Sequence, residues 1–195
     1  MAEAGLPAST AQKLRVVRLG HPVLRKVAEP VPEEWFDTGR LNNLATDLLH
    51  TMMVEEGVGL AAPQVAEPLR LFAYWLPGSE DEPEVEPRVI VNPEIRPVGE
   101  ETEEGWEGCL SIPGLRGLVP RYVRIKVKGR AVDGSPVSLT ADGFHARVIQ
   151  HEYDHLDGIV YLDRMTAMRS LMFEPEWERY VLAPAEAEQE ESPDA

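Results

Sequence analysis

Apolar positions along this chain fall into two helical stretches and several short extended ones. Between Thr38 and Glu56 they recur at Leu41, Leu44, Leu48 and Met52, with Ala45, Leu49 and Met53 widening the stripe. That is the spacing of a helix with one buried face. Thr38 is placed to cap its start and Gly57 to end it in the left-handed conformation. A second helix is expected from about Gly143 to Asp157, with Asp142 as cap and Gly158 as stop. Both its faces carry apolar or functional groups, so a central, buried place is expected. Leu69 to Leu76 is a continuous apolar and aromatic run, and Arg88 to Asn92 is a short β-branched one. Tyr122 to Lys128 alternates, with Val123, Ile125 and Val127 opposite Arg124, Lys126 and Lys128, the period of a half-buried antiparallel strand. Asp133-Gly134 marks a hairpin turn into Val137 to Thr140. Strands in runs with two helices set apart predict an α+β fold, antiparallel sheets packed around a central helix.

The chain has 195 residues, 43% of them hydrophobic, enough for a core without disulfides. A single cysteine precludes an intrachain disulfide and fits a reducing compartment. No apolar run approaches the ~20 residues that span a bilayer, and the first residues read as neither secretory signal nor transit peptide. A cytoplasmic protein is expected. The net charge of −15 is uneven. Gly78 to Glu104 contributes −8 and the tail Ala183 to Ala195 contributes −5, so the remainder is near −2. With no basic stripe, DNA is not an expected partner. The expected organisation is one domain over residues 1–182 with an acidic loop near 78–87, followed by a disordered acidic tail over 183–195.

The sharpest motif is QHEYDHLDG, Gln150 to Gly158. His151 and His155, four apart on the predicted helix, stack on one face where two imidazoles can reach one metal ion. Glu152 is placed to address a water beside that ion. A catalytic site takes a third protein ligand. A further histidine in the metzincin spacing is absent, because Tyr161 stands there. Glu174 or Glu176 would serve a thermolysin-like site, and Cys109 in WEGCLSIPG is the other option. A Cys-His-His set suits Zn(II), Fe(II), Co(II) or Ni(II). Gln64, closing GVGLAAPQ, offers a neutral donor that can stabilise an oxyanion.

These three motifs in this order, with the opening LGHPVLRKVAEPV, resemble the peptide deformylases over about residues 13 to 165. Departures are the acidic insertion around Ser79 to Glu86, the tail, and Arg147, where many members carry an apolar residue. The resemblance implies removal of the N-formyl group from the initiator methionine of new polypeptides, releasing formate. It implies Cys109, His151 and His155 as ligands of one divalent ion, Fe(II) first, with Zn(II), Ni(II) or Co(II) as alternatives. Glu152 would be the general base and acid, with Gln64 and the Leu110 N–H holding the oxyanion. The substrate would pair with the main chain at Val58, Gly59 and Gly108. Its methionine would enter a pocket of Val58, Phe144, Val148 and the stem of Arg147, with Glu107 and Arg116 nearby. Those last two could instead form an ion pair fixing the cysteine loop. The partners implied are N-formyl-methionyl nascent peptides and a transient ribosome encounter, not through the acidic tail. Two rivals remain, an endopeptidase using Glu174 or Glu176 and a binding protein with a structural ion. A dead homologue would be expected to lose Glu152 or Gln64, and both are present.

Overall fold

A computed structural model describes residues 11–36, 38–78 and 83–184. The first long element is α1, Gly39–Val54, followed by β1, Gly59–Ala61, and β2, Leu71–Leu76. Then come β3, Val85–Pro97, β4, Thr102–Cys109, β5, Ile112–Tyr122, β6, Arg124–Arg130, and β7, Pro136–Asp142. Helix α2, Gly143–Leu156, follows, with the short α3, Tyr161–Arg164, strand β8, Met172–Phe173, and α4, Glu174–Trp177, which runs into a π-helical turn, Glu178–Leu182. Five strands form one sheet in the order β1-β2-β3-β6-β7, and β4-β5-β8 form another; every pairing is antiparallel.

The hydrophobic pattern follows from how this larger sheet is covered. Phe72, Tyr74, Leu76 and Ile90 pack in one cluster with Ala146, Val148, Ile149 and Leu156 of α2. Leu71, Ala73, Val89 and Val91 pack in the other with Leu41, Ala45, Leu48 and Met52 of α1. The centre of β2 and β3 is therefore buried on both faces, which is why Leu71 to Leu76 reads as unbroken apolar sequence. Strand β6 is covered on one face only. Ile125 and Val127 are buried while Arg124, Lys126 and Lys128 are exposed, matching the alternation.

Several expectations need correction. Helix α1 ends in the left-handed conformation at Glu56, φ 55°, and not at Gly57. Gly57 has a non-positive φ and instead lies close to Leu110, whose Cδ1 would be 2.8 Å from a Cβ there. Gly158 does take the left-handed conformation expected of it, φ 73°. Thr38 and Asp142 occupy the N-cap positions without capping; Thr38 Oγ1 donates to Trp35 O, and Asp142 pairs with Arg124. Strand β3 runs well beyond Arg88 to Asn92 and takes in Val85 to Pro87 of the expected acidic loop. Its register shifts between Val91 and Glu94, with Asn92 at φ 50°, and that bulge accommodates Pro93 without a lost ladder bond. The β4–β5 hairpin, built from Glu, Gly and Pro without apolar alternation, was not expected from the pattern at all. The core of the acidic loop, 79–82, and the tail from 185 lie outside the described residues.

Candidate functional site

Two elements bring the chemistry together. Helix α2, packed under the sheet, presents His151 and His155 one turn apart with ring centroids separated by 5.1 Å. Cys109 closes β4, where the Leu110-Ser111 turn leads into β5. The ligand-type atoms of Cys109, His151 and His155 all lie within 4.8 Å of one another, and Cys109 Sγ is 3.3 Å from His155 Nε2. Tetrahedral Zn–N and Zn–S bonds of ~2.0–2.3 Å place ligand atoms roughly 3.3–3.8 Å apart, so the trio fits one ion with little movement. Among the described residues no other group of this kind forms, and Glu174 is committed elsewhere, to Arg116. Geometry thus favours the cysteine over the glutamates as third donor.

Charge around the trio is fixed by a buried network. His151 Nδ1 lies 2.8 Å from Glu107 Oε2, which leaves Nε2 for the site. Arg121 grips Glu107 with two hydrogen bonds of 2.9 and 3.0 Å and reaches Asp154 at 2.5 Å. Arg164 holds the same Asp154 from the surface side at 2.7 and 3.1 Å. Arg147 donates to Glu107 at 3.1 Å and to the carbonyls of Val119, Glu103 and Gly105 at 2.7, 2.7 and 3.3 Å. Burial pushes the Glu107 carboxyl up, but hydrogen bonds from His151 and Arg121 outweigh it and hold the group far below the ordinary range. Burial also opposes charge on both imidazoles. At His151 the Cys109 sulfur and Glu107 overcome it and raise the pKa well above its usual value; at His155 burial wins, aided by His151, and lowers it well below. His155, kept neutral, is in the form a metal ligand needs.

Glu152 stands apart from this network. It is 4% exposed, its Oε2 has no partner, and burial pushes its pKa up to about 7. A Cβ at Gly59 would fall 2.2 Å from its Oε1, so only glycine lets β1 lie against this carboxylate. Gln64 is oriented by accepting the Ala61 N–H at 2.8 Å, which turns its Nε2 towards Cys109 Sγ at 3.4 Å and Ser111 Oγ at 3.3 Å.

Of the metal, catalytic and substrate residues that the family resemblance implies, all but His155 line one cavity of about 590 Å³; Glu174 lines it too, and Glu176 does not. His155, fully buried, lies behind it. Val58, Phe144 and Val148 form apolar wall, Phe144 being 45% exposed at the opening. Strand β1 is a sheet edge, open to an added strand. Val58 O accepts the Trp75 N–H, and by the alternation of an antiparallel ladder Gly59, next along β1, turns its backbone to the open side. Glu107 and Arg116 do not pair with each other; Glu107 joins Arg121, and Arg116 joins Glu174. Arg147 contributes its stem to the cavity while its guanidinium ties the β4–β5 hairpin to α2. Sequence reasoning missed Arg121, Asp154 and Arg164. The available signal was Asp154 itself, an acid on a helix read as buried on both faces, which requires a cationic partner.

A family model described as polypeptide deformylase matches residues 13–170. The chain belongs to that family. Peptide deformylase 1 of Xanthomonas axonopodis is 46% identical over 162 residues, 82% of this chain and 94% of that protein. Peptide deformylase 2 of Pseudomonas putida is 46% identical over 153 residues, 77% and 86% of the two chains. Among solved structures, a class I type b peptide deformylase of Acinetobacter baumannii with Met-Ala-Ser bound superposes with a TM-score of 0.76 at 38% identity, covering 80% of this chain and 99% of that one. The deformylase of Synechococcus elongatus, in complex with actinonin, gives 0.73 at 34% identity and covers 87% and 88%. As a deformylase this chain is a metal-dependent hydrolase that removes the N-formyl group from the initiator methionine of new polypeptides. No described helix is long and apolar enough to cross a membrane.

Proposed function

We propose that Cys109, His151 and His155 hold the divalent ion of this deformylase and that Glu152, Gln64 and the Leu110 N–H carry out its chemistry. The reading rests on one observation: a thiol and two imidazoles converge at the wall of one cavity, beside a buried carboxylate with an unpartnered oxygen. When bound, a divalent ion supplies a Lewis acid that lowers the pKa of a water and polarises the formyl carbonyl. Glu152 takes the proton of the attacking water and returns it to the departing amine. Gln64 Nε2 and Leu110 N–H donate to the formyl oxygen as it gains negative charge. Gly59 and Gly108 pair with the extended peptide, an interaction that reads no side chains and so suits substrates of varied sequence. Val58, Phe144, Val148 and the Arg147 stem receive the methionine.

Fe(II) is the proposed ion. A thiolate with two imidazoles suits it, as it suits Zn(II), Co(II) and Ni(II). Fe(II) is supported by loss of activity in air as iron or thiolate oxidises, and contradicted by stable activity through aerobic purification. Residues 1–182 are proposed as one cytoplasmic domain acting on formyl-methionyl nascent chains, with any ribosome encounter made away from the acidic tail. The ligand set is tested by metal content. Cys109→Ala should release the ion, while Glu174→Ala and Glu176→Ala should retain it; a metal-replete Cys109→Ala protein would return the argument to a glutamate-ligated endopeptidase.

A further inference from the structure

The chain continues past residue 170, where the family match ends, and the continuation folds onto the cavity. Strand β8 pairs with β5, Leu115 opposite Phe173 and Arg116 opposite Met172. This pairing delivers Glu174 to Arg116, whose Nε donates to Glu174 Oε1 at 2.9 Å and whose Nη2 reaches the same oxygen. Trp177, three residues on, sits with its ring centroid 6.4 Å from that of Trp106 and 5.1 Å from the Arg116 guanidinium carbon. Trp106, Arg116 and Glu174 line the same cavity as Cys109 and His151.

We propose that Met172–Leu182 is the outer wall of the substrate cleft, and that Glu174, by neutralising Arg116, sets which side chains are accepted after the formyl-methionine. The inference rests on the deformylase reading of the cavity. The other charges at its rim are Arg18, Glu55 and Glu56, and Glu55 is held by Lys13 at 2.7 Å. With Arg116 paired to Glu174 and Glu55 to Lys13, one cation, Arg18, and one carboxylate, Glu56, remain at the rim, so its charges balance. A balanced rim favours neither acidic nor basic side chains, which suits an enzyme whose substrates differ at every residue after the first. Removing the charge of Glu174 leaves Arg116, with a third of its side chain exposed, as an unbalanced cation. An acidic residue then gains affinity and a lysine loses it.

The test compares kcat/KM for formyl-Met-Ala-Glu against formyl-Met-Ala-Lys, and for formyl-Met-Glu-Ser against formyl-Met-Lys-Ser. It uses wild type, Glu174→Gln and the double variant Glu174→Gln/Arg116→Gln. Each result is a ratio within one protein, so a general loss of activity or folded protein cancels. The acid-to-lysine ratio should rise about five-fold in Glu174→Gln at the second or third residue, through KM, and fall back in the double variant. Calorimetric titration of the product peptides Met-Ala-Glu and Met-Ala-Lys should show the same shift in Kd without any turnover. Unchanged ratios in Glu174→Gln overturn the proposal. Absence of formate from every formyl peptide with the wild-type protein contradicts the deformylase reading instead, and the wall is then judged on the product-peptide Kd ratio alone.

Discussion

In the proposed assignment Glu152 is the general base, and its burial sets what replacing it should do. Glutamine preserves its shape and removes the base, so Glu152→Gln should keep the ion while kcat falls about 10²- to 10⁴-fold. Near wild-type turnover would remove Glu152 from the proton transfer. The reaction needs the carboxylate, so kcat/KM must fall as pH drops through its pKa. Burial lifts that pKa from 4.5 to about 7, whereas a bound cation draws it down. The acid limb is therefore expected between these values, with metal content unchanged across it; a limb that tracks metal loss would assign it to the histidines. The proposed ligands and base could be named from the sequence because their spacing, or being the lone cysteine, is written locally; the structure brings the ligand-type atoms of Cys109, His151 and His155 within 4.8 Å of one another. Arg121 was not, since it reaches Glu107 and Asp154 across 14 and 33 residues of sequence.

Between elements, the tie that matters joins α2 to the β4–β5 hairpin, because one carries two of the proposed ligands and the other the third. Glu107 is its centre, accepting from Arg121, Arg147 and His151. Glu107→Gln would leave two guanidinium groups short of a buried counter-charge, at a cost of about 3–5 kcal/mol. It would also loosen His151, weakening metal affinity about 10- to 100-fold. Thermal unfolding and metal titration check both effects, and an unchanged Tm with unchanged affinity would show that the network is dispensable. Helix α1 was legible from its 3.6-residue spacing, and α2 from Asp142 and Gly158 at its ends and the histidine spacing within it. The hairpin was not, because its few buried apolar residues, Ile112 and Val119 among them, do not alternate along it, and glycines such as Gly105 serve close approach: a Cβ there would meet the Arg147 guanidinium at 2.6 Å.

Over the whole molecule, the net charge of −15 is concentrated in two acidic stretches and leaves no basic stripe for a polyanion. Ribosomal RNA is bound mainly through Lys and Arg contacts that release counterions, and the five acids after Ala183 oppose this. Removing residues 183–195 should leave kcat/KM on short formyl-methionyl peptides unchanged and should not weaken ribosome co-sedimentation at low salt. A fall in co-sedimentation would place a ribosomal protein contact in the tail, and a fall in turnover would make the tail part of the fold. The central claim is that one buried cavity joins a Cys-His-His ion to a glutamate base for deformylation. It is tested most directly by incubating the anaerobically Fe(II)-loaded protein with formyl-Met-Ala-Ser and assaying formate alongside internal peptide cleavage. The account predicts one formate per peptide consumed, with Met-Ala-Ser intact. Cleavage of internal bonds without formate, or neither product from the metal-replete protein, would contradict it.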